Sequence, residues 1–212
     1  PSDGRVRGAV GDASAQDVDR AIAAARKAFE EGPWGAMKPG ERAALIHACA
    51  DKMAAHHEEL AQLETLDTGK PINSARGEVF AAIGAIRYYA GWADKITGTT
   101  HNINMPGDHH VYTLKEPVGV AALVVPWNYP IVMAAMKLGP CLAAGCTAVL
   151  KPAEDTSLTA LRLGELFLDA GLPEGVLNIV TGYGATTGNA LIHHAGIDKI
   201  AFTGSTVTGK II

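Results

Sequence analysis

The 212 residues are 48% hydrophobic and 19% charged, which is enough apolar material for one sizeable α/β core and too much for a disordered chain. A formal net charge of -4 with scattered basic residues leaves no electrostatic case for a nucleic-acid partner. No apolar run reaches the length of a membrane span and the first residues lack a charged-then-apolar leader, so the chain reads as a soluble, cytoplasmic protein.

Pro1, Ser2, Asp3 and Gly4 read as a turn, with Val6, Ala9 and Val10 as a weak strand behind it. Ser14 starts an acidic-first helix over residues 16–30, with Val18, Ile22, Ala25 and Phe29 at helical spacing. Gly32, Pro33 and Trp34 stop it. A second helix is expected from about 40 to 57 and a third over 58–67. Asn73 and Ser74 open a long helix reaching about residue 95, with Phe80, Ile83, Ile86, Tyr89 and Trp92 on its inner side. These helices read as packing elements without a catalytic constellation. Residues 99–116 alternate on either side of Pro106, Gly107 and Asp108, which predicts a hairpin. It has no obvious place in a parallel sheet, and the residues alone allow an edge hairpin that covers its own domain.

Residues 118–125 form an apolar, β-branched run bounded by prolines, as expected of a strand buried on both faces. After PWNYP, residues 131–144 predict a helix that Gly145 stops. Residues 147–150 give a second buried strand ending in Lys151, Pro152, Ala153 and Glu154. Two buried strands joined by a helix make a right-handed parallel βαβ unit. An amphipathic helix over 155–170, a strand over 176–180, a glycine loop, a short helix, a strand over 199–202 and a helix opening over 203–209 complete the pattern. Four alternations of strand and helix predict a Rossmann-like doubly wound α/β sheet with helices on both faces. Such sheets bind ligands beyond the carboxyl ends of their strands, and here those ends carry Trp127, Asn128, Lys151 and Glu154.

Cys49, Cys141 and Cys146 lie in apolar surroundings without ligand spacing, so neither a disulfide framework nor a zinc site is expected, and the apolar neighbours of Cys141 and Cys146 should keep those two thiols protonated. The histidine pairs at 56–57, 109–110 and 193–194 point in different directions and read as solvated surface, and no metal site is predicted.

Two glycine loops compete for a dinucleotide. Gly182, Gly184 and Gly188 approach the GxGxxG spacing with one residue too many, and Gly204 to Gly209 lies between a strand and a helix start where backbone N–H groups could hold a pyrophosphate. The residues alone do not choose between them. The Glu154 carboxylate could accept from both ribose hydroxyls and would repel a 2′-phosphate, which favours NAD over NADP. The side-chain amide of Asn128 is a neutral donor suited to an oxyanion, although a satisfied turn asparagine would look the same.

LETLDTGKP, PWNYP, the KLGPCLAAG helix, KPAE and FTGST, in this order over nearly the whole chain, resemble the aldehyde dehydrogenase superfamily. The resemblance implies NAD-dependent oxidation of a small aldehyde to a carboxylic acid through a cysteine thiohemiacetal and thioester. It assigns the pyrophosphate to the second glycine loop and places Gly184 by the adenine. Cofactor contacts are implied for Val125, Pro126, Trp127, Asn128, Lys151, Ala153, Glu154, Gly184, Phe202, Thr203, Gly204, Ser205 and Thr208. Asn128 takes the oxyanion role and Lys137 a proton-relay role, against the alternative of a lysine that snorkels outward. Asp67 matches an acidic ligand of a monovalent cation in some members.

By the same resemblance, residues 1–98 and 118–212 form an NAD-binding domain incomplete at both ends. Residues 99–117 form a protruding hairpin arm that joins a homodimer or homotetramer. The nucleophilic cysteine, the general-base glutamate and the catalytic domain have no counterpart in these residues, so the chain alone is expected to be inactive. Two other readings stand beside it: a non-catalytic dinucleotide-binding or oligomerisation module, and an NADP-using semialdehyde dehydrogenase.

Overall fold

A computed structural model describes residues 5–6 and 8–212; the turn expected at residues 1–4 lies outside them. The weak strand at Val6, Ala9 and Val10 does not form among the described residues. Among the described residues the segment approaches the sheet through Ala13 N–H to Thr181 O at 2.8 Å, without a ladder.

Helix α1, Ala15–Glu30, begins at a capping box: the Ser14 hydroxyl accepts from Asp17 N–H, and the Asp17 carboxylate accepts from Ser14 N–H at 2.8 Å. Its buried stripe is Val18, Ile22, Ala25 and Ala28. Phe29, placed inside by the spacing, is half-buried because Ala28 completes the three-and-four repeat. Helices α2 (Pro33–Ala36), α3 (Pro39–Ala55), α4 (His57–Thr68) and α5 (Ile72–Ala90) follow. The last is shorter than predicted. Gly91 caps it, and Trp92 N–H turns back to Tyr89 O at 2.9 Å. Its inner stripe runs through Ala75, Val79, Ala82, Ile83, Ile86 and Ala90. Phe80 and Trp92 fall off that stripe and are exposed, while Tyr89 is partly buried against the core.

The hairpin is present as β1 (Thr100–His101) paired antiparallel with β2 (Val111–Tyr112). From Asp94 to Val118 every residue is exposed except the half-buried Val111, so the hairpin leaves its own domain uncovered.

The main sheet contains β3 (Val120–Val124), β4 (Thr147–Lys151), β5 (Leu177–Ile179) and β6 (Lys199–Phe202) in the order β5-β4-β3-β6, all parallel. Helix α6, Pro130–Ala143, crosses from β3 to β4, and α7, Leu158–Asp169, from β4 to β5. The strands alternate with period two between two cores. Ala121, Leu123, Ala148 and Leu150 face the layer of α3, α5, α6 and α7. Val120, Ala122 and Val149 face α1 and the short helix α8, Asn189–Ile192. Another small helix, α9, spans Thr206–Gly209.

The turn from α6 into β4 needs Gly145, which sits at φ +86° and gives the chain its reversal. Trp34 clamps that turn from α2: its indole is fully buried, and Nε1–H donates to Gly145 O at 3.0 Å and Cys146 O at 3.1 Å. Trp34→Phe keeps much of the volume but leaves two buried carbonyls without this donor. The expected loss is about 1–3 kcal/mol, read as a lower urea midpoint at unchanged slope.

Candidate functional site

The sheet order places a switch point at β3, where the chain runs outward to β4 and β5 and then returns to β6 on the other side. Ligands of open α/β sheets bind in the crevice at such a point, beyond the carboxyl ends. A cavity of about 440 Å³ opens there, lined by Val124 of β3, Lys151 of β4, Phe202 of β6 and, among others, Gly184, Gly188 and Thr208.

Lys151 ends the fully buried β4 and is itself 2% exposed. Its ammonium donates to Pro152 O at 3.0 Å and lies 3.6 Å from the Glu154 carboxylate. Burial pulls the Lys151 pKa below its usual value, and Glu154 partly restores it. Ala153 O accepts Thr156 N–H at 3.1 Å and the Ser157 hydroxyl at 3.0 Å, so the KPAE corner is a closed turn with Glu154 left partly exposed.

The first glycine loop winds into a π-helical turn, Gly184–Gly188, which the sequence reading treated as an open loop. Gly188 N–H reaches Tyr183 O at 3.1 Å. An added Cβ at Gly188 would meet Lys151 Cδ and Cε at 3.5 Å, so the turn lies over the lysine stem; one at Gly184 would meet nothing within 4 Å. Thr187 ties the turn to the N-terminal segment by donating to Ala13 O at 2.6 Å.

In the second loop Thr203 N–H bonds Val124 O at 3.1 Å, and Gly204 is exposed. The Ser205 hydroxyl caps α9 by accepting Thr208 N–H at 3.1 Å and meets Thr208 Oγ1 at 2.9 Å. One hydroxyl therefore already serves the helix, and what the loop can offer a ligand is its backbone N–H groups.

On the β3 side Val125 is buried and bonds Lys151 O at 3.2 Å, Pro126 is half-buried, and Trp127 and Asn128 are exposed. Among the described residues nothing holds the Asn128 side-chain amide; its backbone carbonyl accepts from Lys70 Nζ at 3.2 Å. Lys137 is half-buried in α6 with its pKa lowered by burial. It lies seven residues after Pro130, about 10 Å along the helix, and is not in hydrogen-bonded contact with Asn128.

Burial pushes the Cys49 thiol up to about 12, and the expectation that Cys141 stays protonated holds, its thiol being raised by Cys146 and by burial. It fails for Cys146, which the adjacent Cys141 thiol brings down to about 6 against the opposing effect of burial. Cys146 precedes β4, and Lys151 ends it, so the thiol is about 16 Å from the carboxyl edge. Asp67 has a structural use, accepting Leu158 N–H at 2.8 Å at the start of α7, and burial raises its pKa. His56 and His57 bond backbone carbonyls, Lys52 O at 2.9 Å and Arg76 O at 3.0 Å, where solvated surface was expected. Among the described residues no group of three or more His, Cys, Asp or Glu could hold a metal ion, and no helix is long and apolar enough to cross a membrane.

The sequence reading missed the support behind Asn128. Lys70 lies in the helix layer, where it bridges Glu64 and Glu78. The signal was a charged residue, Glu64, on the buried side of an otherwise ordinary helix.

A profile of the aldehyde dehydrogenase family matches residues 1–212. The chain is 54% identical to aldehyde dehydrogenase family 2 member B4 of Arabidopsis thaliana over 100% of its own length and 39% of that protein. It is 52% identical to the NADP/NAD-dependent aldehyde dehydrogenase PuuC of Escherichia coli, over 92% of this chain and 39% of that one. The NAD+ complex of an aldehyde dehydrogenase from Bacillus cereus superposes with a TM-score of 0.91 at 52% identity, covering 94% of this chain and 40% of that one. The chain thus spans about two fifths of the length of these relatives.

Burying Lys151 costs stability, because desolvation of its charge outweighs what the partly exposed Glu154 returns. Lys151→Met is expected to leave stability unchanged or raise it by up to about 1 kcal/mol, measured by urea unfolding at neutral pH. A loss of more than that would mean the lysine serves the fold rather than a ligand.

Proposed function

The chain belongs to the aldehyde dehydrogenase family, and on that premise we propose that it supplies the NAD site and the oxyanion-stabilising asparagine of an enzyme that oxidises a small aldehyde to a carboxylic acid. The observation that carries this reading is the buried Lys151 beside Glu154, at the mouth of an apolar cleft at the switch point. The residues fit a dinucleotide. Phe202, Gly184 and their neighbours offer an apolar slot for a purine, and Glu154 offers a carboxylate to vicinal ribose hydroxyls. Lys151 and Ala153 complete that corner.

The backbone N–H groups of the loop formed by Thr203, Gly204 and Ser205, with Thr208 behind it, would face the pyrophosphate. Val125, Pro126, Trp127 and Asn128 would border the nicotinamide end. Bound NAD supplies the hydride acceptor. Asn128 donates its side-chain amide to the substrate oxygen as negative charge develops there. The lowered pKa of Lys137 brings it closer to neutrality and so supports proton exchange along α6. The nucleophile and general base are assigned to residues outside these 212, since Cys146 stands at the opposite end of β4; the chain alone would then be inactive. Three free thiols fit a reducing compartment such as the cytoplasm.

The exposed hairpin presents Ile103, Met105, Tyr112 and Leu114 to solvent, an apolar set that favours a second copy of the chain as its cover. Residues 99–117 would then be an oligomerisation arm on a domain formed by 1–98 and 118–212.

Calorimetric titration of the complete protein tests the cofactor assignment. NAD+ should bind at one site per chain, and Glu154→Ala should weaken it roughly tenfold, about 1.4 kcal/mol. Glu154→Ser should raise the affinity for NADP+ relative to NAD+. Absence of binding by either nucleotide would sink the assignment, and tighter binding of NADP+ by the unaltered protein would give preference to the NADP reading.

Replacing residues 99–117 by a short Gly/Ser linker should shift the sedimenting mass to a smaller assembly. An unchanged mass would remove the arm from the interface.

A further inference from the structure

Lys70 follows Gly69, the left-handed cap of α4 at φ +78°, and its side chain turns into the layer between α4 and α5. Its ammonium has three protons and three acceptors. They are Glu78 Oε2 at 2.5 Å, Glu64 Oε1 at 3.3 Å and the backbone carbonyl of Asn128 at 3.2 Å. The Tyr129 ring centroid lies 5.2 Å from Nζ and closes the remaining side. Lys70 and Glu78 are 13% and 14% exposed and Glu64 is fully buried.

The acceptors are themselves fixed. Glu64 Oε2 accepts the Thr159 hydroxyl at 2.9 Å, which anchors the cluster to α7. Burial pushes the Glu64 carboxyl up, and Lys70 and Thr159 draw it back. A charge with every donor engaged in a partly buried site has one low-energy position. The PWNYP segment has few means of holding itself: Pro126 and Pro130 have no N–H, and the Asn128 side-chain amide is free among the described residues.

We propose that Lys70 is the positioning residue for Asn128. Held between Glu64 and Glu78, its ammonium fixes the Asn128 carbonyl and thereby the direction in which that residue's side-chain amide donates. The inference rests on the reading of Asn128 as the oxyanion donor, and it extends the site to the layer of α4 and α5. The charge-assisted bond to a backbone carbonyl acts on orientation alone.

The test is a double-mutant cycle on the complete enzyme. Lys70→Met removes the donors; because it strands two carboxylates, Lys70→Met with Glu78→Gln is made beside it to keep the cluster near neutral. Each is combined with Asn128→Ala. The expected result is a fall in kcat of roughly tenfold or more for the Lys70 variants, with the Kd for NAD+ unchanged within about twofold. In the Asn128→Ala background the same changes should lower kcat by less than about twofold. Multiplicative losses, or a loss confined to NAD+ affinity, would overturn the proposal.

If Asn128→Ala alone leaves kcat unchanged, the oxyanion reading fails by itself. The positioning role is then judged by hydrogen exchange at Trp127, Asn128 and Tyr129: faster exchange in both Lys70 variants sustains the fastening, and unchanged exchange rejects it.

Discussion

Every residue of β4 is buried, and four of the five in β3 are as well. A strand enclosed on both faces has no room for polar side chains along its length, so they can emerge at its ends. Lys151 meets this constraint by ending β4 with its stem under the Gly184–Gly188 turn and its ammonium at the rim. The rest of the site is arranged by that exit. Glu154 lies one turn later, Phe202 closes the β6 side, and Val125 N–H bonds the Lys151 carbonyl, which holds the start of the PWN segment beside the KPAE corner.

Much of this was legible in the sequence, for a physical reason. Strands buried on both faces, such as β3 and β4, write themselves as uninterrupted apolar runs, and the partly buried β6 was placed at residues 199–202 as observed. Helix ends were legible where chemistry marks them, as at the Ser14 capping box and Gly145. The long α5 was overextended because Trp92 continued an apolar spacing that Gly91 terminates, and Phe80 was misplaced because small residues can line a buried stripe as well as large ones. The π-helical turn was invisible: its defining bond runs between backbone atoms five residues apart, and side-chain patterning does not report it.

The support behind Asn128 was hidden for a different reason. Lys70, Glu64 and Glu78 come from two helices and the turn between them, and no spacing rule places a helix layer against a loop 58 residues away in sequence. A local reading sees an α4 with scattered charges and assigns them to solvent. Burial of Glu64 then has to be offset, and the acceptors and donors that offset it belong to Lys70 and to Thr159 of α7. The helix layer thus has two duties. It covers one face of the sheet with apolar side chains, and it carries a polar post that ends on the strand-end loop.

The thiol pair separates reactivity from location. The Cys141 thiol beside it draws the Cys146 thiol below its usual pKa against the opposing effect of burial. Yet the five residues of β4 stand between it and the edge where Lys151 meets Glu154. On the proposed reading of Asn128, a nucleophile has to reach the atom whose charge that amide would stabilise, within about 3 Å of both. A thiol at the far end of a rigid, fully buried strand cannot meet that condition by any side-chain rotation. The same rigidity that holds Lys151 at the carboxyl end of β4 therefore keeps Cys146 at the opposite end.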